Sequence, residues 1–200
     1  MRNDLTEIAL ILDKSGSMQG ISDDTIGGFN TFITEQKAVP GDANITLFLF
    51  DTDVTKVWDG VPIKTVGQLT SEIYSPEGYT ALHEAVIKTV DTIGKRLADL
   101  PEDQRPGKVI IGIITDGQEN SSKQEFTMTR VKEVIEHQQS KYNWQFIFMG
   151  ANQDSWATGT SMGVIGSNCL YYAATGAGIK GVTQTYSRTV TSLRGSFPSK

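Results

Sequence analysis

The stretch of sequence that decides the fold reads Ile8-Ala9-Leu10-Ile11-Leu12-Asp13-Lys14-Ser15-Gly16-Ser17. It begins with five consecutive apolar residues and passes directly into a polar loop. A strand that is apolar on both faces is typical of a parallel sheet covered by helices on both sides. The stretch therefore predicts a buried strand whose carboxyl end opens into a polar loop.

Similar apolar runs recur along the chain, at residues 45–50, 109–115, 144–149 and, less cleanly, 169–173. Amphipathic helical patterns separate most of these runs, and the clearest begins after Thr80. Only three residues join the run at 45–50 to an alternating segment at 54–58, so the two must form a hairpin. The predicted fold class is α/β: a doubly wound, mostly parallel six-stranded sheet with one antiparallel edge strand and helices on both faces. We expect a single domain over residues 1–200.

Composition and charge exclude several classes of protein. Hydrophobic residues make up 38% of the chain, which is ordinary for a globular protein and excludes disorder and coiled coil. A net charge of −5 disfavours nucleic acid as a partner. The lone Cys169 excludes a disulfide framework and a multi-cysteine zinc site. The first apolar run is too short for a signal peptide or a membrane span, so we expect a cytoplasmic protein.

Three polar segments lie where a ligand crevice is expected. Asp13-Lys14-Ser15-Gly16-Ser17 follows the first strand, Thr115-Asp116-Gly117 follows the strand at 109–115, and Gly78-Tyr79-Thr80 precedes the longest helix. In an open α/β sheet, the crevice lies outside the carboxyl ends of the strands, where the strand order reverses. We therefore expect these segments to lie together at that edge.

The side chains of these segments are oxygen donors, namely Asp13, Ser15, Ser17, Thr80 and Asp116. Two carboxylates in a partly dry crevice repel each other unless a cation or a proton intervenes, and Lys14 alternates away from Asp13. Oxygen ligands suit Mg²⁺, with Mn²⁺ or Ca²⁺ as alternatives, better than zinc or copper. These five residues are the predicted metal ligands, with one coordination position left open. Thr80 is also a natural helix N-cap, which gives its hydroxyl two possible roles.

The same residues carry a resemblance to a known family. Asp13-Lys14-Ser15-Gly16-Ser17, the later Thr80 and the later Asp116 resemble the metal-ion-dependent adhesion site (MIDAS) of the von Willebrand factor type A (VWA) family. The resemblance covers about residues 5–195 and implies a Rossmann-like VWA fold. It also implies that the three hydroxyls approach the metal directly, whereas the two carboxylates act largely through waters.

The resemblance implies a function as well. The open metal position of the family takes a carboxylate from a partner protein, so we expect a non-catalytic module that binds a partner Asp or Glu. The chain is most similar to stand-alone bacterial or phage members of the family. Its oligomeric state is left open.

Two other functions are alternatives. A Mg²⁺-dependent phosphatase would use Asp13 as nucleophile, but Ser15 occupies the position of the general acid that such an enzyme needs. An accessory subunit of an ATPase or stress-response machine would differ from the first hypothesis only in its partner. Residues 176–181 match a dinucleotide-binding glycine pattern, but no acidic residue follows them, so we predict a tight turn into the last helix and no nucleotide.

The charge is unevenly distributed along the chain. Residues 1–154 hold all 23 acidic residues and 14 of the 18 basic ones, whereas residues 155–200 hold the other four basic residues. The acidic part contains all five predicted metal ligands, and its negative field favours a cation. Within it, Asp51, Asp53 and Asp59 are expected in a solvated hairpin turn and sheet edge.

Overall fold

The computed structural model describes residues 1–151 and 154–195. Six strands form one sheet: β1 (Arg2–Asp13), β2 (Asp42–Phe50), β3 (Val54–Pro62), β4 (Pro106–Thr115), β5 (Gln145–Gly150) and β6 (Cys169–Tyr171). Their order is β3-β2-β1-β4-β5-β6. β3 pairs antiparallel with β2 at one edge, and every other pairing is parallel. The predicted fold class and the predicted edge hairpin are confirmed.

Helices cover both faces of the sheet. They are α1 (Ser22–Ala38), α2 (Leu82–Ala98), α3 (Met128–Tyr142), α4 (Ser155–Ser161) and α5 (Gly176–Gly195). Successive residues of β1 point to opposite faces, so Leu10 joins the core beneath α1 and α5, whereas Ile11 joins the core beneath α2 and α3. This explains the uninterrupted apolar run in β1, because neither face of the strand meets water. Among the described residues, no helix is long and apolar enough to cross a lipid bilayer.

The last helix is anchored to the rest of the fold at two points. A Cβ placed on Gly112 of β4 would lie 2.6 Å from Cζ of Tyr186, so the glycine makes room for this buried ring against the sheet. Arg194 is only 2% exposed, and it donates hydrogen bonds to the carbonyl oxygens of Gln36 (2.6 Å) and Gly41 (3.1 Å). The guanidinium thus binds carbonyl groups at and just beyond the end of α1, where the carbonyl of Gln36 also accepts a long hydrogen bond from the N–H of Val39 (3.4 Å).

The strand order determines where a ligand can bind. β2 and β3 lie on one side of β1, and β4, β5 and β6 lie on the other side. The order therefore reverses between β1 and β4, and a crevice opens beyond their carboxyl ends. Asp13 and Thr115 are the last residues of these two strands, so both border the crevice.

Candidate metal centre

The carboxylate of Asp13 lies at the base of the crevice and is fully buried. Its Oδ1 accepts a hydrogen bond from the backbone N–H of Ser15 (2.7 Å), and its Oδ2 accepts one from the hydroxyl of Thr115 (2.6 Å). The hydroxyl of Tyr74 donates to the carbonyl oxygen of Asp13 (2.6 Å). Thr115 and Tyr74 therefore hold Asp13 in place, and no sequence motif singled out either of them for this role.

Burial dominates the acidity of this carboxylate. It raises the pKa of Asp13 from 3.8 to about 6, although the hydrogen bonds from Thr115 and Ser15 act in the opposite direction. Burial also raises the pKa of Asp116, and the hydrogen bond from Ser17 partly opposes that rise. The ionised form of both carboxylates is therefore less favourable in the crevice than in water. A bound cation would relieve that penalty.

A chain of hydrogen bonds connects the first and the third segment. The hydroxyl oxygens of Ser15 and Ser17 lie 3.1 Å apart, and the hydroxyl of Ser17 donates to Oδ1 of Asp116 (2.5 Å). Ser15 is buried, Ser17 is exposed and Asp116 is half-buried, so the chain runs from the interior to the mouth of the crevice. Alternate residues of the loop after β1 thus face the same point.

Thr80 brings the second segment to the same place. A Cβ placed on Gly117 would lie 3.1 Å from the hydroxyl oxygen of Thr80 and 3.8 Å from that of Ser17. The glycine therefore leaves open a small space that both hydroxyls border. α2 begins at Leu82, and its cap residue Ala81 makes no side-chain hydrogen bond to the helix. The Thr80 hydroxyl does not cap α2, and it has no hydrogen-bond partner among the described residues.

Asp51 differs from Asp13 and Asp116 because it forms an ion pair with Lys14. Asp51 is only 6% exposed. Oδ1 of Asp51 also accepts the backbone N–H of Asp53 (2.8 Å), which closes the hairpin turn between β2 and β3. The expectation that Asp51 lies in a solvated turn is wrong. The parallel register pairs Asp13 with Phe50, which makes Lys14 and Asp51 neighbours across the two strands.

The donor set fits a hard cation. Two carboxylates and three hydroxyls converge from three separate segments, and hydroxyl and carboxylate oxygens are the ligands that Mg²⁺, Mn²⁺ and Ca²⁺ prefer. Within residues 1–151 and 154–195, no group of three His, Cys, Asp or Glu side chains is arranged to hold a metal ion. A cation at this edge therefore depends on the hydroxyls of Ser15, Ser17 and Thr80 as well as on carboxylates.

The glycine pattern at 176–181 has a packing role. α5 begins at Gly176, so the pattern lies in the first turns of the helix, and the predicted tight turn before the helix is wrong. A Cβ on Gly176 would collide with the carboxylate of Asp24 on α1, and Asp24 also pairs with Lys180 (2.7 Å). A carboxylate thus occupies the position beside the helix start where a dinucleotide would place its pyrophosphate.

Solved structures share this architecture at low sequence identity. The proximal thread matrix protein 1 (PTMP1) of the mussel byssus has a TM-score of 0.65 and 11% identity, over 93% of this chain and 48% of its own. A second PTMP1 structure, described as having a zinc-occupied MIDAS motif, has a TM-score of 0.59 and 13% identity, over 93% of this chain and 46% of its own. The ArnB paralog VWA2 of Sulfolobus acidocaldarius has a TM-score of 0.56 and 19% identity, over 92% and 44%.

An aerotolerance-related membrane protein of Bacteroides fragilis has a TM-score of 0.56 and 12% identity, over 94% of this chain and 99% of its own. The chain thus spans about half the length of the mussel and archaeal proteins and almost the full length of the Bacteroides structure. No protein-family model and no curated protein matches the sequence. At sequence identities of 11% to 19%, the structural similarity shows a common fold.

Proposed function

We propose that this chain, which has the von Willebrand factor type A fold, is a non-catalytic protein-binding module that depends on a divalent metal ion. The observation that carries the proposal is the convergence of five oxygen-bearing side chains from three segments at the strand-order reversal. They are Asp13, Ser15, Ser17, Thr80 and Asp116. The zinc-occupied MIDAS motif of a PTMP1 structure supports metal binding by a protein of this fold.

The residues divide into two groups in this proposal. The hydroxyls of Ser15, Ser17 and Thr80 would hold the ion directly, and the carboxylates of Asp13 and Asp116 would balance its charge largely through waters. When bound, a divalent ion supplies a localised positive charge with an open coordination position. Mg²⁺ is the ion we expect, with Mn²⁺ or Ca²⁺ as alternatives, because every donor is an oxygen.

The partner in this proposal is a protein that presents an Asp or Glu side chain. The chain carries a net charge of −5, so an acidic partner residue would be repelled without a cation between the two surfaces. Tyr79, which is 66% exposed, directly precedes Thr80 and offers the partner an apolar contact beside the metal. An accessory role beside a larger machine is compatible with this mode of binding.

The surroundings of Asp13 support a binding role over a catalytic one. The side chain is fully buried, and each of its two oxygens already accepts a hydrogen bond. A nucleophile must approach its substrate freely, and its leaving group needs an acid nearby, where this chain has Ser15.

We also propose that the protein acts in the cytoplasm, where a free thiol such as that of Cys169 is stable.

A metal titration tests the site itself. Thermal unfolding is followed in EDTA and at increasing Mg²⁺, for the wild type, for Ser17→Ala and for Ser71→Ala as a control in an exposed loop. At an ion concentration 100 times the dissociation constant, binding stabilises the folded state by about 2.7 kcal/mol. We expect that gain for the wild type and Ser71→Ala and its loss in Ser17→Ala. Equal curves with and without Mg²⁺ for the wild type would refute the metal site.

A capture experiment tests the partner class. The immobilised wild type and Asp13→Ala are incubated with a lysate in Mg²⁺ and eluted with EDTA. We expect a protein that elutes only from the wild type and whose binding is lost when its contacting Asp or Glu is replaced by Asn or Gln. Binding that persists in EDTA would show that the interaction does not pass through a metal.

A further inference from the structure

The loop that follows Asp116 lies over the start of α2. We call residues 117–123 the latch loop. Within it, the side-chain Oδ1 of Asn120 accepts the backbone N–H of Thr80 (2.8 Å), and the backbone N–H of Asn120 donates to the carbonyl oxygen of Thr80 (3.0 Å). A single residue of the latch loop therefore binds both backbone polar groups of Thr80.

The latch loop also caps α2. Oε2 of Glu119 accepts the backbone N–H of His83 (2.8 Å), and the hydroxyl of Ser122 accepts that of Glu84 (3.0 Å). The same hydroxyl donates to Oε2 of Glu119 (2.8 Å), whose Oε1 accepts the backbone N–H of Ser122 (2.7 Å). Two of the free N–H groups at the helix start are thus satisfied by residues from another part of the chain.

This arrangement matters because the position of the Thr80 hydroxyl depends on that of its backbone. The hydroxyl has no hydrogen-bond partner among the described residues, so the path of the Thr80 backbone sets its position. The two neighbouring residues are held separately, since the N–H of Ala81 donates to the carbonyl oxygen of Asp51 (2.8 Å) and the N–H of Tyr79 donates to the hydroxyl of Thr52 (3.0 Å). The latch loop begins next to Asp116, so it connects the two candidate ligands that lie furthest from β1 in sequence.

We propose that Asn120 is a positioning residue of the metal site, which holds the Thr80 hydroxyl beside Ser17 and couples its position to that of Asp116. This inference rests on the proposed function. Glu119 fixes the latch loop to the start of α2 through the N–H of His83. Burial acts to raise the pKa of Glu119, but the hydrogen bonds from His83 and Ser122 outweigh burial and keep the pKa below its usual value. Glu119 is therefore ionised at neutral pH and suited to accept several N–H groups.

The proposal predicts that Asn120→Ala lowers metal affinity by more than its loss of stability would explain. Groups that orient metal ligands typically contribute 10-fold to 100-fold to metal affinity. We expect Asn120→Ala to weaken Mn²⁺ binding by about 10-fold or more, because it removes the acceptor for the Thr80 N–H. Asn120→Asp keeps an oxygen acceptor and should retain the affinity. Gln118→Glu adds the same charge two residues from Asp116 and leaves the Asn120 acceptor in place, which isolates the effect of charge alone.

Asn30 provides a matched control for stability. Its side chain binds both backbone groups of one residue, since Nδ2 donates to the carbonyl oxygen of Leu69 (2.9 Å) and Oδ1 accepts the N–H of Leu69 (2.8 Å). Asn30→Ala therefore removes two side-chain hydrogen bonds, whereas Asn120→Ala removes only the one to the Thr80 N–H, because the bond to the Thr80 carbonyl comes from the backbone of Asn120. We expect Asn30→Ala to lower the free energy of unfolding at least as much as Asn120→Ala and to leave Mn²⁺ affinity unchanged.

The experiment measures free Mn²⁺ by electron paramagnetic resonance in titrations of each full-length variant, with urea unfolding in EDTA alongside. Weaker binding by Thr80→Ala and Asn120→Ala, with normal binding by Asn120→Asp and Asn30→Ala, supports the proposal. Binding by Asn120→Ala within twofold of the wild type overturns it and leaves the proposed function intact. An equal loss in Asn30→Ala, or no loss in Thr80→Ala, also overturns it. A wild type that binds no Mn²⁺ overturns both the proposed function and this inference.

Discussion

Replacing Asp13 by Asn should make the metal-free protein more stable while abolishing its response to Mg²⁺. The Asp13 carboxylate is fully buried and pairs with no basic side chain in the described part of the chain, so its negative charge destabilises the fold when no cation is bound. An asparagine retains the acceptor for the N–H of Ser15. The hydroxyl of Thr115 can turn toward the carbonyl oxygen of Gly117, which lies 3.1 Å away, and accept the new amide.

The size of the gain follows from the acidity of Asp13. A pKa raised from 3.8 to about 6 corresponds to about 3 kcal/mol of destabilisation by the ionised form. Because the pKa in the folded state lies above the value in the unfolded state, this penalty is fully present above pH 6 and disappears as the pH falls toward 4. As the pH falls through this window, the metal-free wild type should therefore gain stability relative to Asp13→Asn.

The assay is urea unfolding in EDTA at pH 8 and at pH 5, followed by the same titration at pH 8 in Mg²⁺. Asp13→Asn should exceed the wild type by about 3 kcal/mol at pH 8 in EDTA and by less at pH 5. Saturating Mg²⁺ should raise the stability of the wild type only. The difference in the free energy of unfolding between Asp13→Asn and the wild type should therefore become smaller or change sign.

Asp51→Asn is the matched control for this prediction. It also neutralises a buried aspartate at the same sheet edge, but the carboxylate of Asp51 is paired with Lys14. Removing one partner leaves a charged lysine without its counter-ion, so we expect a loss of stability. The reasoning about Asp13 is refuted if Asp13→Asn is less stable than the wild type in EDTA at pH 8, or if the difference between them does not change with pH.

Two further predictions concern the anchoring of α5, and both are checked by urea unfolding. Gly112→Ala should lower the free energy of unfolding by about 1–3 kcal/mol, because its Cβ would overlap the buried ring of Tyr186. Gly20→Ala should change the stability little, because nothing lies within 4 Å of the added Cβ. Equal losses in the two variants would contradict the packing argument. Arg194→Met should cost about 2 kcal/mol, because the carbonyl groups of Gln36 and Gly41 lose a charged donor. The exposed Arg188→Met should be nearly neutral, and an equally neutral Arg194→Met would contradict the anchoring role of the guanidinium.

Much of the candidate site was predictable because it follows directly from strand ends. Asp13 and Asp116 are placed by the apolar runs that precede them, and parallel strands bring their carboxyl ends to one edge. Ser15 and Ser17 follow from their spacing after Asp13. Thr80 was also predicted, but the sequence left two roles for its hydroxyl, and only the position of Ala81 as the helix cap resolves the choice.

The sequence by itself determined the α/β class, the edge hairpin and the set of oxygen donors, because these depend on local hydrophobic pattern and short connections. Only the tertiary structure decided how the donors are held. The contact between Asn120 and Thr80 joins residues 40 positions apart, and that between Tyr74 and Asp13 joins residues 61 positions apart. The path of an irregular loop sets such contacts, and the loop settles where packing and buried hydrogen bonds are satisfied together. No periodic pattern in the sequence encodes that balance.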